Sequence, residues 1–322
     1  MYTMKPLFLI TFTGLFLYSS CFGVNSKNFQ IEGIRNLRNG ASHDLSFYEN
    51  STTTEIIESF GYVTEKHHVV TEDGYILELH RIPYGINGTT GEQRPVAFLH
   101  HCLECSSADW IMDKPDRALG YLLADAGYDV WLTNVRGNTY SRNHTTLNPD
   151  ADEDKEAFWA FTWGEMALYD APAAIDYALA TTGNSQLYYV GFSMGTSVFF
   201  AMMSERNEYK DKIKAAALLG PVAYNDHCTG PMRLLGNYSD DMDRLFSDFG
   251  HYEFWPSDEM WHYIADNFCG EDDPEEAACE NMIFLFCGYD EEELNDAYVL
   301  YIFPTHRPDI SSRFQPLWPT YI

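Results

Sequence analysis

The stretch YYVGFSMGTSVFF, Tyr188 to Phe200, joins a short apolar run to a run of small and apolar residues through Gly191-Phe192-Ser193-Met194-Gly195. A G-x-S-x-G pentapeptide between a strand and a helix lifts a serine hydroxyl onto a sharp, strained turn. The two glycines let that turn tighten, and the helix that follows sets its N-terminus behind the serine. Ser193 is therefore the candidate nucleophile, and the rest of the chain is read by whether it supplies the strands and loops such a serine requires.

Upstream, VVTEDGYILELHRIPYG alternates apolar and polar residues around Asp73-Gly74, the pattern of an antiparallel hairpin. PVAFLHH from Pro95 is a short apolar run bounded by polar loops and predicts a buried strand. RALGYLLADAG predicts a helix stopped at Gly127, and YDVWLTN a second strand. From Thr162 to Thr182 the spacing of Met166, Ala167, Ala171, Ala174, Ile175, Ala178 and Leu179 predicts one amphipathic helix ended by Gly183. LYYV, the serine turn, a helix from TSVFFAMM and a strand from KAAALLGPVA complete an alternation of strands and helices from Pro95 to Ala223. That alternation implies a parallel, doubly wound α/β sheet. Past Ala223, helical fragments are broken by Gly, Pro and Asp, with aromatic residues among acidic ones, which fits a helical insertion better than more sheet.

The chain has 322 residues, 45% of them hydrophobic, enough to bury a large core, and a formal net charge of −28. That charge repels nucleic acid and anionic membranes at long range, so neither is an expected partner. It suits a soluble surface or an acidic working compartment, where protonated carboxylates repel one another less. The start carries Lys5, an apolar run from Pro6 to Tyr18 and then small polar residues, and reads as a secretory signal cut near Gly23. No later stretch offers a membrane-spanning apolar run. Acceptor triplets for glycosylation begin at Asn50, Asn87, Asn143 and Asn237, in keeping with secretion. Of the seven cysteines, Cys21 falls in the signal, leaving Cys102, Cys105, Cys228, Cys269, Cys279 and Cys287, whose pairing the spacing does not decide. Cys102-x-x-Cys105 has no second ligand pair, so no metal and no cofactor is expected.

VVTEDGYILELHRIPYG, HHCLECSSADW, VWLTNVRGNTYSRNH, FWAFTWGEMALYDAPAAIDY and GFSMG, in this order, together resemble the acid lipase family, the gastric and lysosomal acid lipases, over roughly residues 55 to 310. The resemblance implies an α/β-hydrolase fold with a helical lid, no cofactor, and cleavage of neutral lipid esters, triacylglycerols and cholesteryl esters, at a lipid–water interface. It implies Ser193 as nucleophile, the backbone N–H groups of Leu103 and Met194 as oxyanion donors, Arg136 as a scaffold residue beside the site, a disulfide between Cys269 and Cys279, and Cys287 as a free thiol. Three positions depart from the family pattern: Cys102 stands where the family has Gly, Phe192 where it has His, and Met194 where it has Gln. A backbone donor does not depend on its side chain, so Met194 is tolerable, whereas a side chain at Cys102 restricts the oxyanion loop. Cys102 and Cys105 either bridge locally or stay separate.

The triad order Ser…Asp/Glu…His places the acid and base after later strands. Downstream histidines are His227, His251, His262 and His306; only His306 with Asp290 gives the formal order, and none sits in a strand-end setting. No triad Asp or His is identified. The expected organisation is a signal over 1–23, an N-terminal segment over 24–54, an α/β-hydrolase core over 55–223, a helical lid over 224–308 and a divergent tail over 309–322. The chain reads as lacking the last strands and helix of the fold, an incomplete or truncated form. The leading function is a secreted or lysosomal serine ester hydrolase; the alternative is an inactive, secreted lipid-binding pseudo-lipase. The particular lipid and the oligomeric state stay open.

Overall fold

Strand β3, Val96–His100, is buried at every position, which a strand tolerates only when neighbours satisfy both its edges and other layers cover both its faces. Both edges are paired. The computed structural model describes residues 51–103, 105–224 and 252, and in it six strands form one sheet in the order β1-β2-β4-β3-β5-β6. β1 (Glu65–Val70) and β2 (Ile76–Ile82) form the expected antiparallel hairpin, turning at Thr71–Tyr75 with Gly74 at φ +101°. β2 runs antiparallel to β4 (Asp129–Leu132), while β4, β3, β5 (Leu187–Phe192) and β6 (Ile213–Leu219) run parallel.

The helices follow the same logic. A capping box opens helix α1, Thr53–Ser59: Thr52 accepts from the Glu55 amide, and the Glu55 carboxylate accepts from the Thr52 amide. Helix α2, Leu119–Asp125, packs beside β4 and is followed by Gly127 at φ +95°. The single helix predicted over Thr162–Thr182 is observed as one continuous run from Trp163, its last part, Ala171–Thr182, being α3, but it contains a π-helical turn at Met166–Asp170 that the spacing did not predict. Pro172 is the physical reason, because it has no N–H to give to the Leu168 carbonyl four residues back. Arg206 Nη1 donates to that carbonyl at 2.7 Å, and the Ala171 amide reaches back five residues to Met166. Gly183 closes α3 in the left-handed conformation, as its position implies. Helix α4, Met194–Glu205, follows the serine turn directly.

Alternation along the strands divides the core in two. Val96, Phe98 and Trp131 face one apolar cluster with α3 and α4, while Ala97, Leu99, Val130 and Leu132 face a second with α1 and α2. The sheet is thus the middle layer. Because β4 lies on one side of β3 and β5 on the other, the chain reverses direction across the sheet at β3. That switch point is where an open α/β sheet leaves a crevice at its carboxyl edge.

One buried cation joins the loops around this edge. Arg136 is 0% exposed. Its Nε and Nη2 donate to Asp170 Oδ1 at 2.8 and 2.6 Å, and its own amide donates to Asp170 Oδ2 at 2.9 Å. Nη1 and Nη2 also donate to the two oxygens of Asp73 at 2.5 and 2.9 Å, and the guanidinium lies 4.1 Å from the centre of the Tyr75 ring. The hairpin turn, the loop after β4 and the π-helical turn are thereby tied at one point.

The expected signal, the N-terminal segment up to Asn50, Asn237, Cys228, Cys269, Cys279, Cys287, His227, His251, His262, His306, Asp290, the expected lid apart from Tyr224 and Tyr252, and the expected tail lie outside the described residues.

Removing one partner of a buried ion pair strands the other charge, so Arg136→Met is expected to lower unfolding free energy by about 3–5 kcal/mol, read from urea denaturation. A pH signature accompanies this. Burial alone would raise the Asp73 pKa, but the hydrogen bonds and charge of Arg136 outweigh it and hold it below its ordinary value. A depressed carboxyl contributes stability that is complete above the unfolded pKa of about 3.9 and is lost as pH falls through the folded value. Stability should therefore fall less steeply below about pH 4 in Arg136→Met than in the wild type.

Candidate active site

β5 and β3 are neighbours in parallel register, with His100 opposite Gly191, so the segments leaving their carboxyl ends start side by side. From β5 the chain turns through Ser193 into α4. Ser193 has φ 49° and ψ −108° and, among the described residues, is the one non-glycine at positive φ. Such a conformation costs about 1–3 kcal/mol and persists only when the surroundings over-determine it.

The surroundings do so by close approach. A Cβ on Gly195 would lie 2.5 Å from the His100 carbonyl oxygen, and one on Gly191 would lie 2.8 Å from the Gly195 carbonyl oxygen. The Ser193 amide donates to the Leu219 carbonyl of β6 at 2.9 Å. The Thr196 hydroxyl donates to the Ser193 carbonyl at 2.6 Å and accepts from the Val222 amide at 2.8 Å, while Ser197 donates to the Val222 carbonyl at 2.7 Å. Tyr189, beneath, donates to the Gly195 carbonyl at 2.8 Å. Ser193 itself is partly exposed, beside Phe192 at 40% exposure. Met194 is buried, and as the first residue of α4 its amide has no acceptor within the helix.

The second segment leaves β3 as His101-Cys102-Leu103. His101 fixes its start. The Val135 amide donates to His101 Nε2 at 3.2 Å, so that nitrogen is bare and Nδ1 carries the proton that it donates to the Cys102 carbonyl at 2.7 Å. Leu103 follows at 38% exposure. Trp110, in the 3₁₀ turn Ser107–Trp110, meets the Phe192 ring edge-on at a centroid distance of 6.5 Å, joining this segment to the serine turn. His100 is fully buried against the rings of Phe98, Tyr189 and His101. Burial, with the neighbouring His101, drives its pKa well below the ordinary imidazole value, so this ring is neutral and closed to substrate.

Cys102 and Cys105 form a disulfide, the local bridge that the spacing left open. Cys102 does not take a left-handed backbone, so the side chain that replaces hydrogen at this position carries no such penalty. Cys102, Cys105 and Asp109 are also the group of metal-binding side chains whose donor atoms converge among the described residues. With the two sulfurs bonded to each other neither is a thiolate, which leaves a cation only the Asp109 carboxylate.

The structure brings the Ser193 turn, the Met194 amide and the Leu103 segment to one edge of the sheet. It brings no acid or base to them: among the described residues, no His, Asp or Glu side chain hydrogen-bonds the Ser193 hydroxyl. Asn87 and Asn143 are both exposed, whereas Asn50 and Asn237 lie outside the described residues. Sequence reasoning missed the Thr196–Val222 lock and the His101 bridge. The first has no periodic signal, since a hydroxyl one turn into a helix looks like any other; the second was marked only by a histidine at a strand end.

Residues 53–114 match the family described as a partial alpha/beta-hydrolase lipase region, and residues 95–257 match the alpha/beta hydrolase fold family. Lipase 3 of Drosophila melanogaster is 46% identical over 242 residues, which cover 75% of this chain and 60% of that protein. The human lysosomal acid lipase/cholesteryl ester hydrolase is 43% identical over 261 residues, 80% of this chain and 63% of its own length. The human gastric triacylglycerol lipase is 40% identical over 271 residues, 84% and 66%. The chain thus spans somewhat under two thirds of the length of the curated relatives it matches. A crystal structure from Sulfolobus solfataricus shares the fold at 15% identity and a TM-score of 0.52, covering 77% of this chain and 71% of that one. The chain belongs to the α/β-hydrolase family, with the acid lipases as its relatives.

Proposed function

We propose that this protein is a serine ester hydrolase acting on neutral lipids, triacylglycerols or cholesteryl esters, in a secreted or lysosomal setting. The observation that carries the reading is the strained Ser193 turn, held at the switch point beside the Leu103 segment. A serine attacks an ester only when a base takes its proton and N–H donors receive the developing oxyanion. In this reading Ser193 Oγ adds to the ester carbonyl, and the Leu103 and Met194 amides hold the oxyanion. The alcohol leaves with a proton, and water then releases the fatty acid from the acyl-serine. The triad Asp and His are not assigned to residues of this chain.

The proposed substrate is uncharged, which suits a chain of net charge −28 better than a nucleic acid or an anionic lipid surface. Among the described residues, no helix is long and apolar enough to cross a membrane. The exposed Asn87 and Asn143 triplets support passage through the secretory route. The named relatives, a lysosomal acid lipase and a gastric triacylglycerol lipase, support both the chemistry and the setting.

The test is labelling of the native full-length protein with a fluorophosphonate, alongside hydrolysis of an emulsified triacylglycerol. Covalent label on Ser193, and loss of hydrolysis by at least about 10⁴-fold in Ser193→Ala, are the expected results. Tight fatty-acid binding with neither label nor turnover would overturn the enzyme reading in favour of a non-catalytic lipid carrier. Gly195→Ala should also disable the site while leaving Ser193 in the chain. Its Cβ meets a main-chain carbonyl rather than a yielding side chain, so a stability loss of roughly 1–3 kcal/mol and a loss of labelling are expected together.

A further inference from the structure

Four residues past Leu103, the hydroxyl of Ser107 enters a buried hydrogen-bonded chain that ends on strand β2. His80 Nδ1 lies 2.7 Å from Ser107 Oγ, and His80 Nε2 lies 2.7 Å from Glu78 Oε1. His80 and Ser107 are both 0% exposed. Ser107 Oγ is also 3.0 Å from Thr53 Oγ1, and the hydroxyl and amide of Thr53 donate to the Tyr140 hydroxyl at 3.1 and 2.9 Å. Serine, imidazole and carboxylate stand in the order of a catalytic triad. Burial keeps this set from any substrate, so its work is not nucleophilic.

The direction of the chain follows from what each group can do. An ionised carboxylate only accepts, so His80 Nε2 carries the proton given to Glu78. Burial lowers the His80 pKa against the opposing pull of Glu78, which favours the neutral ring. Nδ1 is then bare and takes the Ser107 O–H. The other groups around this set are Tyr140, whose ring meets His80 edge-on at 4.8 Å, His68 of β1, 3.1 Å from Glu78 Oε2, and Lys66 of β1 at longer range. Ser107 is held a second time through its main chain. Its amide donates to Asn134 Oδ1 at 2.9 Å, and Asn134 Nδ2 donates to the Glu78 carbonyl at 3.0 Å. Side chain and backbone of one residue are thus both referred to β2, the first through His80 and the second through Asn134.

We propose that Glu78, His80 and Ser107 form a positioning relay that fixes the far end of the Leu103 segment against β2 and so aims the Leu103 amide at the reacting carbonyl. The near end is fixed by His101. The proposal rests on the reading of Leu103 as an oxyanion donor. A misplacement of about 1 Å in such a donor is enough to cost on the order of a hundredfold in rate. His80 and Glu78 touch no substrate in this scheme and act through Ser107.

The experiment compares full-length wild type, Ser107→Ala and Glu78→Gln by amide hydrogen exchange and by steady-state hydrolysis of a soluble short-chain ester. Ser107→Ala is expected to speed exchange in peptides that cover the Leu103 segment by about tenfold or more, with α3 and β5 unchanged. It should lower kcat by roughly ten- to a hundredfold with KM unchanged. Glu78→Gln keeps a carbonyl acceptor for His80 Nε2 and should retain most of the wild-type kcat. Unchanged exchange in the Leu103 segment, or a uniform rise across the chain with kcat intact, would overturn the proposal and leave the set as core packing. If the wild type hydrolyses no ester, the oxyanion reading of Leu103 has failed on its own account, and the exchange comparison alone decides whether the relay positions the segment.

Discussion

Ser193 occupies a backbone conformation that an L-residue adopts only under constraint, and most of the local architecture is what that constraint requires. The main chain of β3 must come within a hydrogen's reach of Gly195, so β3 and β5 have to be adjacent, parallel and in the register that sets His100 opposite Gly191. A slip of one residue would turn the alternate side chains of β5 to the other face and part the two carbonyl-lined backbones. β6 then supplies the Leu219 carbonyl for the Ser193 amide, and the segment beyond β6 supplies Val222 to both Thr196 and Ser197. The turn is thus closed from three sides by main-chain groups, which do not reorient as side chains do.

Around this turn the loops are held by polar groups rather than apolar ones. Loops rarely bury enough apolar area to fix themselves, while a buried polar group that finds its partners fixes direction as well as distance. Arg136 is the extreme case, a guanidinium taken wholly out of water whose donors are spent on Asp73 and Asp170 and whose face is covered by Tyr75. Its desolvation cost is large, and the arrangement is understood better as geometry than as stabilisation, because three separate loops meet only if all its bonds form at once. Asn134 does similar work with no net charge, accepting from Ser107 and Asn138 and donating to Glu78.

The elements were legible in the sequence where a single physical signal dominated. VAFLH reads as a buried strand because nothing but burial on both faces explains five successive apolar or neutral residues between polar loops, and the Asp73-Gly74 turn reads as a hairpin because its glycine takes positive φ. The helix over Thr162–Thr182 was legible in its spacing but not in its π-helical turn. Periodicity reports which face is apolar, whereas the π-helical turn arises from one missing N–H at Pro172 and is compensated by Arg206, far along the chain. Helix α1 was missed although Thr52 and Glu55 carry the capping signal, because polar residues around it hid the short apolar pair Ile56-Ile57. For the site, Ser193 announced itself through two glycines at fixed offsets. The links that hold it, Thr196 to Val222 and His80 to Ser107, pair residues 26 and 27 positions apart, and no local pattern encodes a contact across that distance.

The acidity of the chain bears on the proposed reaction at its end rather than its start. A neutral ester feels little of the field of a chain with net charge −28, so its approach depends on apolar contact rather than on charge. Hydrolysis turns that neutral ester into a fatty acid, which above its pKa is an anion. Several cations are already committed to carboxylates of the protein itself: Arg81 to Asp129 and Glu65, Arg136 to Asp73 and Asp170, Arg142 to Asp150, Arg206 to Glu208, and Lys212 to Asp176. The field that is indifferent to the substrate therefore opposes retention of the product, and opposes it less as the carboxylates of protein and product take up protons.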